Sequence, residues 1–236
     1  VSPELQGVPE LNSFRRVYYY TPPDFALVNL RNKQLKLSRF TDVNDPFELE
    51  AVSFRDREMR RTFRKMRTEL IESKFGFLSF SRSWQNSIMW SHYAERHSGL
   101  CLGFDVAAEN LFDIRYSSFR LYPEITAGTF LDYIGQDQMV EIVGTKHTHW
   151  SYEEEVRILW PLEGLHENGG LYFAPFSDGF ILKEVFLGPT TKWGTEDIKE
   201  AIDDADVKTI STRLSFQEFK VVKQENPKLW KRRKDD

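Results

Sequence analysis

The apolar residues of this chain are cut into short runs. "RRVYYYT" (15–21), "FGFLSFS" (75–81), "SGLCLGFD" (98–105), "EEEVRILWP" (153–161) and "FILKEVFLGP" (180–189) are each of strand length and rich in apolar or aromatic side chains. "LKLSRF" (35–40), "GLYFAPF" (170–176) and residues 209–224 read as further strands, and residues 110–135 as strands or loops. Helical spacing is confined to fewer stretches. Residues 22–34 open on prolines with Asp24 near the start. Residues 54–72 place Phe63, Met66 and Leu70 on one side. Residues 86–97 begin at a capping Asn86 or Ser87, residues 137–147 suit a helix, and residues 194–205 have an acidic first turn that suits the macrodipole. Helices come mostly early and strands mostly late. Segregation of this kind predicts an α+β fold with an antiparallel-leaning sheet and argues against a doubly wound parallel one. The reading is a loose N-terminal segment at 1–13, one domain at 14–225 and a charged tail at 226–236.

The chain has 236 residues, long enough for one substantial core. Its balance of 40% hydrophobic and 29% charged residues is that of a soluble globular domain. A net charge of −4 argues against a generic nucleic-acid binder. The single cysteine, Cys101, cannot form a disulfide within the chain and lies in an apolar run, so it reads as a buried thiol in a reducing, cytoplasmic protein. No stretch approaches the roughly 18 apolar residues of a membrane span, and the first residues lack the apolar core of a signal peptide. There is no glycine-rich dinucleotide fingerprint, no P-loop and no Gly-x-Ser-x-Gly elbow. His147 and His149 share a face without a third ligand, and His92 and His97 are five apart, so no metal site is expected.

Three constellations can carry chemistry. The first is "YEEEVR" (152–157). On an uninterrupted strand, Glu153, Glu155 and Arg157 share one face. Two neighbouring carboxylates repel, and one is pushed toward its protonated form unless a cation such as Arg157 intervenes. The same pattern fits an exposed edge with a ladder of charges. At roughly 7 Å apart, the carboxylates also approach the spacing of an inverting glycosidase pair, although such pairs usually face each other from separate elements. The second constellation joins Ser79 and Ser81, on one face of a strand, to Trp90, His92 and Tyr93 in "MWSHY". Hydroxyls, an imidazole and flat rings suit a ribose and a planar base, while Trp90, Tyr93 and Ala94 also have the spacing of a core stripe. The third is "RFTDVNDPFE", where Arg39, Asn44 and Asp45 are binding candidates and Asp42 reads as a local turn former. In addition, seven basic residues (55, 57, 60, 61, 64, 65, 67) meet three acidic ones (56, 58, 69) on the second helix, as a solvated face or a track for phosphates.

Taken in order, "VYYYT", "LKLSRFTDVNDPFE", "FLSFS", "MWSHYAERHSGLCLGFD" and "WSYEEEVRI" resemble, over about residues 17–190, a widespread bacterial family known only as domain of unknown function 2971. A more distant resemblance is to mono-ADP-ribosyltransferases of the arginine–serine–glutamate type. Those carry an aromatic-Arg or aromatic-His strand, then a Ser-x-Ser strand, then a Glu-x-Glu strand. Tyr18 to Thr21, Ser79 to Ser81 and Glu153 to Glu155 would fill these places. The resemblance implies a split antiparallel sheet with flanking helices and NAD, as substrate, in the cleft. Glu155 would orient the ribose hydroxyls and stabilise an oxocarbenium-like sugar, and Glu153 would face the acceptor. Ser79 would brace the ribose or Glu155, and Ser81 the cleft wall. Tyr19 departs from the pattern, since a phenol cannot pair with a phosphate as Arg does. Arg39, Arg15, Arg16 and Arg82 are the nearby cations that could stand in. The implied activity is transfer of ADP-ribose to a protein or nucleic acid, by a toxin or phage-defence protein with an antitoxin or immunity partner. NAD hydrolysis in the same cleft and a binding module without chemistry are the alternatives. Ser79 and Glu155 lining one cleft would favour the enzymes, and a carboxylate ladder on an exposed edge would exclude them.

Overall fold

The computed structural model describes residues 13–230, except 46, 48, 55, 122–135, 166 and 203. The chain begins with β1 (Phe14–Thr21), α1 (Pro23–Arg31), β2 (Gln34–Lys36) and α2 (Arg57–Met66), which continues as a π-helical turn, Arg67–Glu72. β3 (Phe75–Ser81), α3 (Ser87–Tyr93), β4 (Leu100–Ala107), β5 (Phe112–Asp113) and β6 (Arg115–Ser117) follow. Next come α4 (Gln136–Val143), β7 (Thr145–His147), a 3-10 turn (Thr148–Glu153) and β8 (Glu155–Pro161). β9 (Phe173–Pro175), β10 (Phe180–Leu187), α5 (Thr195–Ile202), β11 (Lys208–Leu214) and β12 (Val221–Lys223) complete the fold.

The protein is α+β. Eight strands form one sheet in the order β12-β11-β10-β4-β1-β3-β8-β5, antiparallel throughout except for β10 with β11. Two-stranded sheets, β2-β9 and β6-β7, stand beside it. β1 registers with β4 along its whole length, from Phe14↔Ala107 to Thr21↔Leu100. With β3 it makes a single registered pair, Tyr18↔Ser81. β3 instead pairs fully with β8, from Phe75↔Pro161 to Ser81↔Glu155. The sheet is thus two leaves joined at one point, forked between β1 and β3.

Leu100, Cys101, Leu102, Phe104 and Val106 of β4 are all buried, because this central strand is covered on both faces. On one face Val17, Phe80, Leu102 and Phe104 pack in a cluster with Ala26 and Leu30 of α1 and Ile198 and Ile202 of α5. On the other, Tyr20, Cys101 and Phe186 pack with Met89 and Trp90 of α3. α3 is too short to persist alone. Asn86 caps it by accepting from the Ile88 N–H at 2.9 Å, and Trp90, fully buried, donates its indole N–H to Trp84 O at 2.7 Å. α2 starts at Asp56, whose carboxylate accepts from Met59 N–H at 2.9 Å, and turns Met59, Phe63 and Met66 onto Val52 and Ile142.

Several boundaries differ from the sequence reading. The helix expected to 97 ends at Tyr93, and Glu95, Arg96 and His97 adopt left-handed backbone with φ of 43, 53 and 69°. The strand expected from 153 starts at Glu155, because Glu153 closes a 3-10 turn and Glu154 is left-handed at φ 46°. The strand expected at 35–40 occupies Gln34–Lys36, that at 170–176 only Phe173–Pro175, and residues 209–224 make two strands with a turn between. Residues 137–147 divide between α4 and β7. Residues 1–12, 122–135 and 231–236 lie outside the described residues, and with them most of the expected N-terminal segment and charged tail. Among the described residues, no helix is long and apolar enough to cross a membrane.

Candidate functional site

The fork between β1 and β3 opens into a cavity of about 340 Å³. Tyr18, Tyr19 and Tyr20 of β1 form one wall, and Ser79, Phe80 and Ser81 of β3 the other. Lys146 of β7, Glu153 of the 3-10 turn and Glu155 and Arg157 of β8 also line it. The β3–β8 register pairs Ser79 with Arg157 and Ser81 with Glu155. Two hydroxyls, a carboxylate and a guanidinium therefore share one face of the smaller leaf. That juxtaposition explains the serine at 79, whose hydroxyl meets Glu155, while the Ser81 hydroxyl accepts from Ser83 N–H at 3.2 Å.

Glu155 is 4% exposed and, among the described residues, accepts four hydrogen bonds. Ser79 Oγ and Arg157 Nε donate to its Oε1, each at 2.5 Å. Lys146 Nζ and Arg157 Nη2 donate to its Oε2, each at 3.2 Å. Its own backbone N–H donates to Tyr116 Oη at 2.8 Å. Burial opposes ionisation of this carboxyl, but Arg157 and Lys146 outweigh burial and hold its pKa down at about 2. Glu153, 3% exposed, accepts from Lys146 Nζ at 2.7 Å and from the Tyr93 hydroxyl. For this group burial wins over Lys146, and its pKa is raised. Burial also works against the Lys146 cation, but Glu155 and Glu153 keep it charged. Asn44 Nδ2 donates to Tyr93 Oη at 3.4 Å. A chain of polar contacts thus runs from Asn44 through Tyr93, Glu153 and Lys146 to Glu155 and Ser79. Chemically, the site offers one carboxylate held ionised, a second whose proton affinity burial raises, and aromatic walls: a place for charge to develop beside a group able to take a proton.

Of the candidates from sequence, the fork brings together Glu153, Glu155, Arg157, Ser79, Ser81, Tyr19, Tyr93 and Asn44. Glu153 and Glu155 converge on Lys146, but not by strand alternation. The left-handed Glu154 between them turns Glu153 back toward the cavity. Other candidates lie elsewhere. Thr21 is buried with its hydroxyl on Pro22 O at 3.4 Å, outside the cavity lining. Arg39 reaches Glu72 O at 2.5 Å and stacks on Tyr172. Asp45 accepts from Phe47 N–H at 2.9 Å, which is the local turn role. Trp90 is core, edge-on to Tyr20. His92 is exposed, with its ring nitrogen 3.3 Å from Tyr152 Oη. Asp42, read as a turn former, does line the cavity. Arg15 and Arg82 pair with Asp113, and Arg16 with Asp105 and Glu184, so none of them replaces the arginine missing at Tyr19. Among the described residues, the cations that line the site are Arg157 and Lys146. Lys146 and Tyr116 are not legible in the sequence, where "GTKHTHW" and "IRYSS" give them no distinguishing pattern.

Compared with protein-family models, curated proteins and solved structures, the chain matches none. Fold and site alone define the class: an α+β protein with a buried, charge-balanced cluster in the cleft of a forked sheet.

Proposed function

We propose that the fork binds NAD and that the protein cleaves its nicotinamide–ribose bond, passing ADP-ribose to a protein or nucleic-acid acceptor. The observation that carries this reading is the Ser79–Glu155 hydrogen bond at the fork, with Glu153 beside it on the shared Lys146. Nicotinamide departs as a neutral base with the electron pair of the broken bond, leaving positive charge on the sugar. Glu155, ionised at any physiological pH, stabilises that charge. Among the described residues, Ser79 is the uncharged donor on Glu155, and a ribose hydroxyl would take its place. The acceptor supplies a lone pair to the sugar carbon and releases a proton to Glu153, whose raised pKa suits a base. Tyr19 and Phe77 offer aromatic wall to the rings of the ligand. Water in place of the acceptor gives NAD hydrolysis with the same residues. A binding module without chemistry is favoured by one feature: all four donors on Glu155 are already in place.

Incubation with NAD followed by mass spectrometry of free nicotinamide tests the proposal. The native chain should release nicotinamide, and Glu155→Gln should lower the rate about 100-fold or more. Absence of both release and NAD binding would leave the binding module.

A further inference from the structure

A second cavity, of about 620 Å³, lies against the first, and Lys146 borders both. The rings of Phe47, Phe119 and Trp150 line it, together with Arg120, His147 and His149. Phe47 and Phe119 are 57% and 79% exposed, and Arg120 stacks on Phe47 with its guanidinium carbon 4.9 Å from the ring centroid. Lys146 Nζ sits 4.8 Å from the centroid of Trp150. Among the described residues, Asp45 and Glu50 also line this cavity, and both are engaged. Asp45 accepts from Phe47 N–H at 2.9 Å, and Glu50 pairs with Arg67 at 2.6 Å. The rest of the described lining is aromatic, imidazole, hydroxyl and cationic, with Lys146 held by Glu153 and Glu155 and Arg120 on the Phe47 ring. It fits a planar ring attached to an anionic group.

The wall of this cavity leads to α2. Ala51 lines it, and the next residues, Val52 and Phe54, pack with Met59 and Phe63 of α2. The other side of α2 exposes Arg57, Arg61, Arg64 and Lys65, with Glu58 among them and Lys65 3.8 Å from Glu69. A helix face that is basic on balance thus lies across that apolar seam from a cavity walled by accessible rings, a combination that suits a phosphate backbone with an unstacked base. We propose that the second cavity receives a base of single-stranded nucleic acid, with the strand's phosphates along α2. This deepens the proposed transfer and rests on that reading for its chemistry: the strand would be the acceptor, approached across Lys146.

The test is fluorescence anisotropy of a labelled single-stranded RNA oligonucleotide, and of DNA of the same sequence, titrated with the full chain without NAD. Binding should weaken as salt rises, with a log–log slope of about −0.7 for each phosphate engaged. Phe47→Ala with Phe119→Ala should weaken it about 10-fold and leave the salt slope unchanged. Arg61→Glu, Arg64→Glu and Lys65→Glu together should weaken it and flatten the slope. These side chains are exposed, and circular dichroism checks that each variant is folded. Either strand type binding in this way supports the site. Absence of binding at low salt, or indifference to the phenylalanine changes, overturns it. Competition by polyglutamate as strong as by the oligonucleotide would point to an acidic polypeptide, and equal competition by AMP to a lone nucleotide; each overturns the strand. Nicotinamide release is read separately without oligonucleotide, so the failure of NAD cleavage and the failure of this site remain distinct results.

Discussion

Glu153 and Glu155 stand two residues apart and titrate in opposite senses. Glu155 has a depressed folded pKa, about 2 against an ordinary 4.5, so its stabilisation is complete above pH 4.5 and is lost as pH falls toward 2. Glu153 has a raised folded pKa, so its contribution is fully present below 4.5 and fades as pH rises through the folded value. The two windows meet near the ordinary value of 4.5 and do not overlap, so stability falls on both sides of it. Glu153→Gln should therefore flatten the decline in thermal midpoint above pH 4.5 and leave the acid-side fall in place, a scan that differential scanning calorimetry can read. Lys146→Met leaves two buried carboxylates facing each other and should cost about 3–5 kcal/mol in urea unfolding at neutral pH. That loss should shrink in acid, where Glu153 takes up a proton. The cluster was half legible in the sequence. Alternation on a strand put Ser79 and Ser81 on one face and did the same for Glu155 and Arg157, and a buried strand has little reason to hold such groups unless they meet. Lys146 carried no such signal, because one lysine between Thr145 and His147 looks like any surface lysine. Trp90, His92, Thr21 and Arg39 sit close in sequence to the residues that matter, but their side chains are directed elsewhere by the core, by solvent or by local backbone partners.

Among the elements, the left-handed residues do most to place the site. Glu154 separates the 3-10 turn from β8, and its carbonyl accepts from Arg82 N–H at 3.0 Å. A side chain in this conformation costs roughly 1–2 kcal/mol, which glycine avoids at the expense of backbone entropy. Glu154→Gly should be close to neutral in thermal unfolding. Glu154→Val, branched at Cβ, should lower the midpoint by several degrees and reduce nicotinamide release by misplacing Glu153. The turn at Glu95, Arg96 and His97 is locked from the other side. A Cβ on Gly188 would lie 2.2 Å from His97 O and 2.7 Å from Gly99 O, both backbone atoms. Gly188→Ala should therefore destabilise the chain by about 1–3 kcal/mol or more in denaturant unfolding. Neither turn was legible beforehand. Left-handed backbone is usually announced by glycine or asparagine, and "YEEEV" and "AERHS" contain neither. The main strands and helices were legible, because their apolar spacing is set by the core they cover.

For the whole molecule, the two leaves of the sheet are interleaved along the chain. β1, β4, β10, β11 and β12 belong to the larger, while β3, β5 and β8 belong to the smaller. A chain ending at Pro161 would keep Ser79, Glu153, Glu155 and Arg157 but lose β10, the partner of β4 from Phe180↔Val106 to Leu187↔Leu100. Its Leu102 and Phe104 would lose the cover that Val185, Phe180 and α5 provide. Such a fragment should show no cooperative thermal transition by circular dichroism. The single Tyr18↔Ser81 junction also bears on how the protein is made. On the ribosome, every side chain of the proposed site is synthesised before the strands that hold the larger leaf together. β4, the partner of β1 at the fork, gains its second neighbour only when β10 has emerged and docked, so the proposed reactivity should await that step. A nascent chain, or a fragment cut in a loop before residue 180, would hold the reacting groups without the frame that aligns them.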